Sequence, residues 1–383
     1  MESSVVSMSR IIVFFNLVFA FAVVSHEAEK YIQSDSSIAA LQRGNPTAPL
    51  LKNAFFQKQS VMKQPLQTKC FTVCVLVMLV AISCITRNNP FDPINQPSPR
   101  AGVKTIVNDK DSLINKAFAA KPGDTIALSA GVYPVSLRFN NSGTIERPIV
   151  IMGTDSSSVV RAQPGQGILY ISGQHSLRLS HIVFDSSFAS GAKIENGSTD
   201  IVFSDCVFLD NMFDGLEITD SDVRAKNCVF LRNKKAGMRI SGDATAAHIV
   251  TVDNALCAHN TQEGVVIVAA PASITRSTIS DNGTSGIAIT SPAGAVRVAA
   301  SIISFNAGAG IYGQWDSTAA QITLDSLDIF SNQQAITLVP VLSPVYWAWD
   351  PMFSDRNTDN YSIGVASEIY RLEQQGVVIG FRK

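Results

Sequence analysis

Charge is scarce in this chain. Asp, Glu, Lys and Arg make up only 16% of its 383 residues, against roughly 25% in ordinary soluble domains. The formal net charge is −1, so no overall field favours nucleic acid or an acidic surface. Cysteine is sparse too: 6 residues in this length are no disulfide framework. The two conspicuous apolar runs, Ile11 to Val24 and Phe71 to Ser83, both fall short of the ~18–20 residues that cross a bilayer comfortably. What the chain has is apolar content, 46% with 20 Phe, and 24 Gly. That excludes intrinsic disorder, and the length allows one to three domains.

The amino end reads as a targeting segment. A basic flank precedes each apolar run, Arg10 for the first and Lys63 with Lys69 for the second, as in signal peptides. The second run ends Val80-Ala81-Ile82-Ser83-Cys84, which resembles a bacterial lipobox, with Ala81 where Leu is preferred. On this reading 1–61 is a leader or lies upstream of the true start, and 62–83 is a lipoprotein-type signal beginning at Met62-Lys63. Cys84 is then the lipidated residue, and Cys70 and Cys74 leave with the signal. Residues 84–102, rich in Asn and Pro, follow as a flexible tether. The alternative is that Met1 is the real start and the first run a signal or loose anchor.

Internal repetition decides the fold. Asn211, Asn233, Asn260, Asn282, Asn306 and Asn332 each close a short apolar run, at intervals of 22 to 27 residues. Four residues after the first five stand Gly215, Gly237, Gly264, Gly286 and Gly310, and Ser187 with Gly191 begins the series one coil earlier. Further columns share the period. Three before each Asn lie Phe208, Phe230, Cys257, Ile279, Ile303 and Ile329; seven after come Ile218, Ile240, Ile267 and Ile289. Each coil thus carries short period-two strands, apolar inward and polar outward.

Such a chain buries its apolar side only by winding about an axis and stacking on itself. Neighbouring coils then lie ~4.8 Å apart, and the Asn column becomes a ladder of amides bonded above and below. The Gly column marks a turn needing positive φ or close packing. A leucine-rich repeat needs an apolar residue two after the Asn. The positions here are Phe213, Lys235, Gln262, Thr284, Gly308 and Gln334, so that fold fails. The expected class is all-β: a single-stranded parallel β-helix of about 22–27 residues per coil.

Over about 103–353 the pattern resembles the right-handed β-helix of the pectate-lyase-like superfamily. Its amino end is similar to polysaccharide lyases related to chondroitinase B and alginate lyase: a short helix Asp111–Phe118, then Pro122-Gly123-Asp124-Thr125-Ile126, then Pro148-Ile149-Val150-Ile151-Met152-Gly153. The helix can plug the open end of the interior. Trp347 and Trp349 are read as sealing the other end.

Outward positions carry any function. Six after each Asn, or after Ser187, stand Lys193, Glu217, Arg239, Val266, Ala288 and Tyr312, with Asp214, Lys234 and Lys235 in the adjoining turn. The resemblance implies that this sheet floors a saccharide groove. A uronate lyase needs a cation to neutralise the substrate carboxylate and a base for the C5 proton. Arg239 or Lys193 could serve as either, with Glu217 beside them. Asp214, Lys234, Lys235, Tyr312 and Trp315 are candidates for substrate binding. The plainer reading, which the bare half of the column favours, is a Lys–Glu–Arg ladder of ion pairs. Neither the Asp-Asp with Gly-His-Gly of inverting galacturonan hydrolases nor the Arg-x-Pro-x-x-Arg of classical pectate lyases is present, which weakens the enzyme case.

His259 has no second His or Cys at ligand spacing, so no metal is expected; calcium enters only by family analogy. Cys206 and Cys228 share an inward column, where parallel in-register geometry is poor for bridging, so free thiols are expected. Four before each Asn, Val183, Val207, Val229, Leu256, Thr278 and Ile302 form an outward apolar stripe, which calls for a cover. The tail 354–383, with Ile369, Leu372 and Val377 to Ile379, or a partner chain, is expected over it. The resulting expectation is a bacterial cell-envelope lipoprotein, held to the membrane only by lipid, that binds or cleaves an acidic polysaccharide; the alternative is a non-catalytic scaffold or adhesion module.

Overall fold

The computed structural model describes residues 102–154, 157–242, 248–292, 294–314, 321–339 and 346–382. Cys84, the expected leader and signal, and Trp315 lie outside the described residues.

The chain winds as a right-handed parallel β-helix with three faces, each a parallel sheet of 9 or 10 strands among the described residues. One coil shows the rule. Thr199–Ser204 lies in sheet A, Val207–Leu209 in sheet B and Leu216–Thr219 in sheet C. Each pairs in register with its equivalent one coil on, as Phe208 with Phe230 and Ile218 with Ile240. Inward positions fill one continuous core that includes Phe184, Phe208 and Phe230. Those three rings stack at 5.0 and 4.9 Å, the separation that coil spacing imposes on like residues.

The corners depend on left-handed backbone. At the bend between sheets A and B stand His181, Asp205, Asn227 and Asn254, all with φ of 53 to 55. Asn and Asp tolerate this region best, because a short polar side chain bonds locally. The Gly column answers a different need. A Cβ on Gly215 would lie 2.5 Å from the Gly237 carbonyl oxygen and 2.9 Å from Asn233 Nδ2, so close packing, and not positive φ, excludes a side chain there.

Beside that column the Asn side chains form a buried ladder. Asn211 Nδ2 donates to Asn233 Oδ1 at 2.8 Å, and the same bond recurs from Asn233 to Asn260, Asn260 to Asn282, Asn282 to Asn306 and Asn306 to Asn332. At the amino end, helix α1 (Lys110–Ala119) is capped by Asp109 and buries Leu113 and Ala117 against the first coils. Hydrogen bonds from Ser112 hold the Asp109 carboxyl below its ordinary value.

The stripe outside sheet B is covered over its carboxyl-terminal part, from Val229 to Ile302. Tyr361 and Phe381 pack on Leu231, Leu256 and Ala258; Ile369, in helix α2 (Glu368–Gln374), and Ile379 pack on Ile302. Trp347 and Trp349 stack at 5.1 Å within this outer cluster. Trp347 lies in the last described strand of sheet B, in register with Asp328 of the outward column, so it and Trp349 pack in the outer cluster and not against the end of the inner core. Polar contacts pin the tail as well. Tyr361 Oη donates to Asp281 at 2.9 Å, His259 Nε2 lies 3.0 Å from the Arg356 carbonyl oxygen, and Arg232 pairs with Asp359.

Gly380 is a point of close contact between this cover and the solenoid. Its φ is +81, and a Cβ there would lie 2.5 Å from Ile302 Cδ1. Gly380→Ala is expected to loosen the tail by about 2 kcal/mol, read as faster proteolytic cleavage after 354. Unchanged protection would show that the tail contributes no more than solvent exclusion.

Cys206, Cys228 and Cys257 are buried and free. Burial pushes all three thiols up, Cys228 to about 12. They remain neutral core side chains at physiological pH.

Candidate functional site

Sheet C places Tyr170, Lys193, Glu217, Arg239, Val266, Ala288 and Tyr312 in one outward column, each in register with the next. The charges in it are spent on neighbours within and beside the column. Lys193 Nζ lies 3.1 Å from Glu195 and 3.5 Å from Glu217. Glu217 accepts from Ser190 Oγ at 2.8 Å, and Arg239 Nε lies 3.1 Å from Asp214. The bond to Glu195, with Glu217 beyond it, holds the Lys193 ammonium above its ordinary value. That makes Lys193 a cation and removes it as a base. Glu195 in turn is held low by Tyr170 Oη and by Lys193.

Asp214, a candidate for substrate contact, has a side chain only 4% exposed. Burial pushes its carboxyl up, opposed by Arg239 and by the Ala236 amide it accepts from. It can position Arg239 but cannot reach a ligand. Lys234 is exposed, and Lys235 sits over the Phe213 ring at 4.2 Å. Tyr312 is half exposed, whereas its column neighbours Val266 and Ala288 are buried. The face is a closed ion network with a few loose members.

A concave site lies elsewhere, on sheet A. A groove of about 660 Å³ runs between Ile145 and Ile249, floored by Arg178, Arg224 and Thr251, with Asp200 and Asp222 at its corner. Exposed Ile145 and Ile249 form apolar walls. Arg178 is fully engaged: one nitrogen reaches both Asp200 oxygens at 2.9 and 2.7 Å, the other the Asp200 carbonyl at 2.6 Å. Burial would raise the Asp200 carboxyl, but Arg178, Ser176 and Arg224 outweigh it and hold it low. Asp222 accepts from the Ile249 amide at 2.8 Å and lies 3.4 Å from His248 Nδ1. Arg224 differs from all of these. Its side chain is 66% exposed and its nearest acid, Asp200, is 4.0 Å away. It is a cation held in a groove with most of its donors unused.

The profile of the family described as a right handed beta helix region matches residues 125–251 and again 166–327. No curated protein matches the chain. Among solved structures it is similar to pectate lyase Pel9A, at 14% identity over 70% of this chain and 91% of that one, with a TM-score of 0.47. It is similar also to the A-module of mannuronan C-5 epimerase AlgE4 from Azotobacter vinelandii, at 17% identity over 62% and 79%, with a TM-score of 0.44. An alginate lyase from Paenibacillus sp. shares 14% identity over 64% and 98%, at 0.39. At such identities the likeness concerns the fold alone.

Proposed function

The chain belongs to the family of right-handed β-helix regions, and on that premise we propose that it is a cell-envelope lipoprotein, acylated at Cys84, whose solenoid holds an acidic polysaccharide in the sheet A groove. One observation carries the reading: Arg224, exposed and largely unspent, lies in a groove that also offers hydroxyls and apolar walls. A carboxylated sugar needs a guanidinium for its charge, polar partners for its hydroxyls and apolar surface for its ring faces. Thr199, Thr251, Ile145 and Ile249 supply the last two. The lipobox-like run before Cys84 supports the anchor, and the tether of 84–102 would set the solenoid off from the membrane.

The groove suits holding a chain better than cutting one. Arg178 and Asp200 are locked together, and β-elimination needs a group free to take the C5 proton. Lys193 and Arg239 on sheet C remain the alternative pair, as cations for a carboxylate.

Arg224→Ala is expected to weaken binding of polygalacturonate or alginate about tenfold, the loss of about 1.4 kcal/mol, measured by titration calorimetry. Arg239→Ala should leave the affinity within about twofold, since that guanidinium already serves Asp214. The reverse ranking would move the site to sheet C. Failure of every uronate polymer to bind would favour a scaffold or adhesion module. Unsaturated product appearing in the same mixtures would establish a lyase.

A further inference from the structure

Sheet A carries a run of unengaged polar side chains that extends beyond the groove. Its outward column reads Arg178, Val202, Arg224, Thr251, Ser273 and Arg297, each in register with the next. Arg178 is locked to Asp200, and Val202 has nothing polar to offer. The next four rungs differ. Among the described residues, Arg224 has only Asp200 within ion-pair distance, at 4.0 Å. Arg297 has only Asp325, at 3.8 Å, and its side chain is 48% exposed. Between them, the half-buried hydroxyls of Thr251 and Ser273 bond to no described residue. Two positions further along each strand the surface does close on itself: Thr275 Oγ1 and Arg276 donate to Asp253 at 3.0 and 2.5 Å.

Like positions on successive coils lie ~4.8 Å apart, so three coil steps separate Arg224 from Arg297 by about 14 Å at the backbone. A head-to-tail pyranose chain laid along the axis advances by about one coil spacing per sugar. One sugar then falls on each rung, and the two guanidiniums meet carboxylates three sugars apart. Whether both carboxylates face the sheet depends on the helical form of the chain. With three sugars per turn, the first and the fourth point the same way. With two per turn, the first and the third do, and the second carboxylate arrives over Ser273, which carries no charge. Counting backwards gives no better match, because two rungs before Arg224 stands Arg178, already neutralised by Asp200.

We infer that Arg297 is a second carboxylate contact of the sheet A site, and that its register with Arg224 selects acidic polysaccharides wound at three sugars per turn. The inference rests on the reading of sheet A as the face that holds the polysaccharide, and adds a length and a conformation to it. A guanidinium suits a carboxylate because its planar fork donates two charge-assisted bonds at once. Thr251 and Ser273 serve hydroxyls of the two sugars between. Asp325 competes little, since it is itself exposed and an exposed pair at that separation is weakly held. The shortest ligand that uses both cations has four sugars.

The full chain should be titrated by calorimetry, in calcium-free buffer, with galacturonate oligomers, whose polymer winds at three sugars per turn. Affinity is expected to rise at least about fivefold from trimer to tetramer, and little from tetramer to pentamer. Arg297→Ala should abolish that step while leaving trimer binding within about twofold, which also shows the variant to be folded. Arg224→Ala should weaken trimer and tetramer alike. Guluronate oligomers, whose polymer winds at two per turn, should show no step that depends on Arg297. Equal affinity for trimer and tetramer, or a step that survives Arg297→Ala, overturns the inference and leaves the groove standing through its dependence on Arg224. An Arg297-dependent step of the same size with guluronate overturns the selection for three sugars per turn. No binding of any oligomer, or binding indifferent to Arg224→Ala, removes the sheet A reading itself and this inference with it.

Discussion

Replacing Asn260 by alanine is expected to cost roughly 3–5 kcal/mol of stability, among the largest effects of any single substitution here. Asn260 is 1% exposed. Its Oδ1 accepts from the Asn233 backbone N–H at 3.1 Å and from Asn233 Nδ2 at 2.9 Å. Its Nδ2 donates to Asn282 Oδ1 at 2.9 Å and to the Phe230 carbonyl at 3.2 Å. Alanine leaves two buried donors on Asn233 without an acceptor, at about 1–3 kcal/mol each, and takes a donor from two acceptors. Water cannot repair the gap, since Gly237 and Gly264 hold the neighbouring backbone close. Urea titration followed by far-ultraviolet circular dichroism reads the loss as a lower midpoint. A fall of less than about 1 kcal/mol would mean that the ladder rewires around the missing member.

Asp328 should make the protein less stable as pH rises. The residue occupies the stripe position after Ile302, fully buried on sheet B. Its Oδ1 accepts from Trp349 N at 2.8 Å, while its Oδ2 has no partner. Burial pushes the carboxyl up to about 7, with Asp350 adding to the effect and the Trp349 amide opposing it. The folded state therefore binds a proton that the unfolded chain releases near 3.8. The stabilisation is complete below that value, declines between about 4 and 7, and is gone above 7. The span corresponds to about 4 kcal/mol at most. Asp328→Asn should match the parent near pH 4, exceed it near pH 8, and flatten the melting temperature across that range. A variant with the parent's slope would place the titrating group elsewhere.

The fold was legible because stacking makes each column of the sequence report on itself. Asn211 through Asn332 and Phe184, Phe208 and Phe230 recur because a ladder amide or a stacked ring admits few substitutes. The outward stripe was legible for the same reason, since its valines contradicted the alternation around them. The sheet A groove was not. Arg178 and Arg224 are separated in their column by Val202. Asp200 is a corner residue at φ 54, and the walls Ile145 and Ile249 come from segments that break the period. The column that Arg178, Val202, Arg224 and Thr251 share is broken by Val202 and does not include Asp200, Ile145 or Ile249, so only the folded backbone assembles the whole groove. On sheet C the residues were found but not their state. Spacing puts Lys193 beside Glu217, but it does not show that Glu195 and Tyr170 close the circuit, or that Asp214 is sealed beneath Arg239. Trp347 and Trp349 were misplaced because two rings near the end of a repeat suit a plug and an outer seal equally well.

The tail's path along the axis bears on mechanics. A solenoid pulled from its last coil ordinarily unzips, one rung at a time, under small force. Here the carboxyl end doubles back across the coils of Ala300, Thr278 and Asn254, so tension applied to it reaches those coils together and sideways to their ladders. That arrangement converts peeling into shear, and the final coils should give way only as a block.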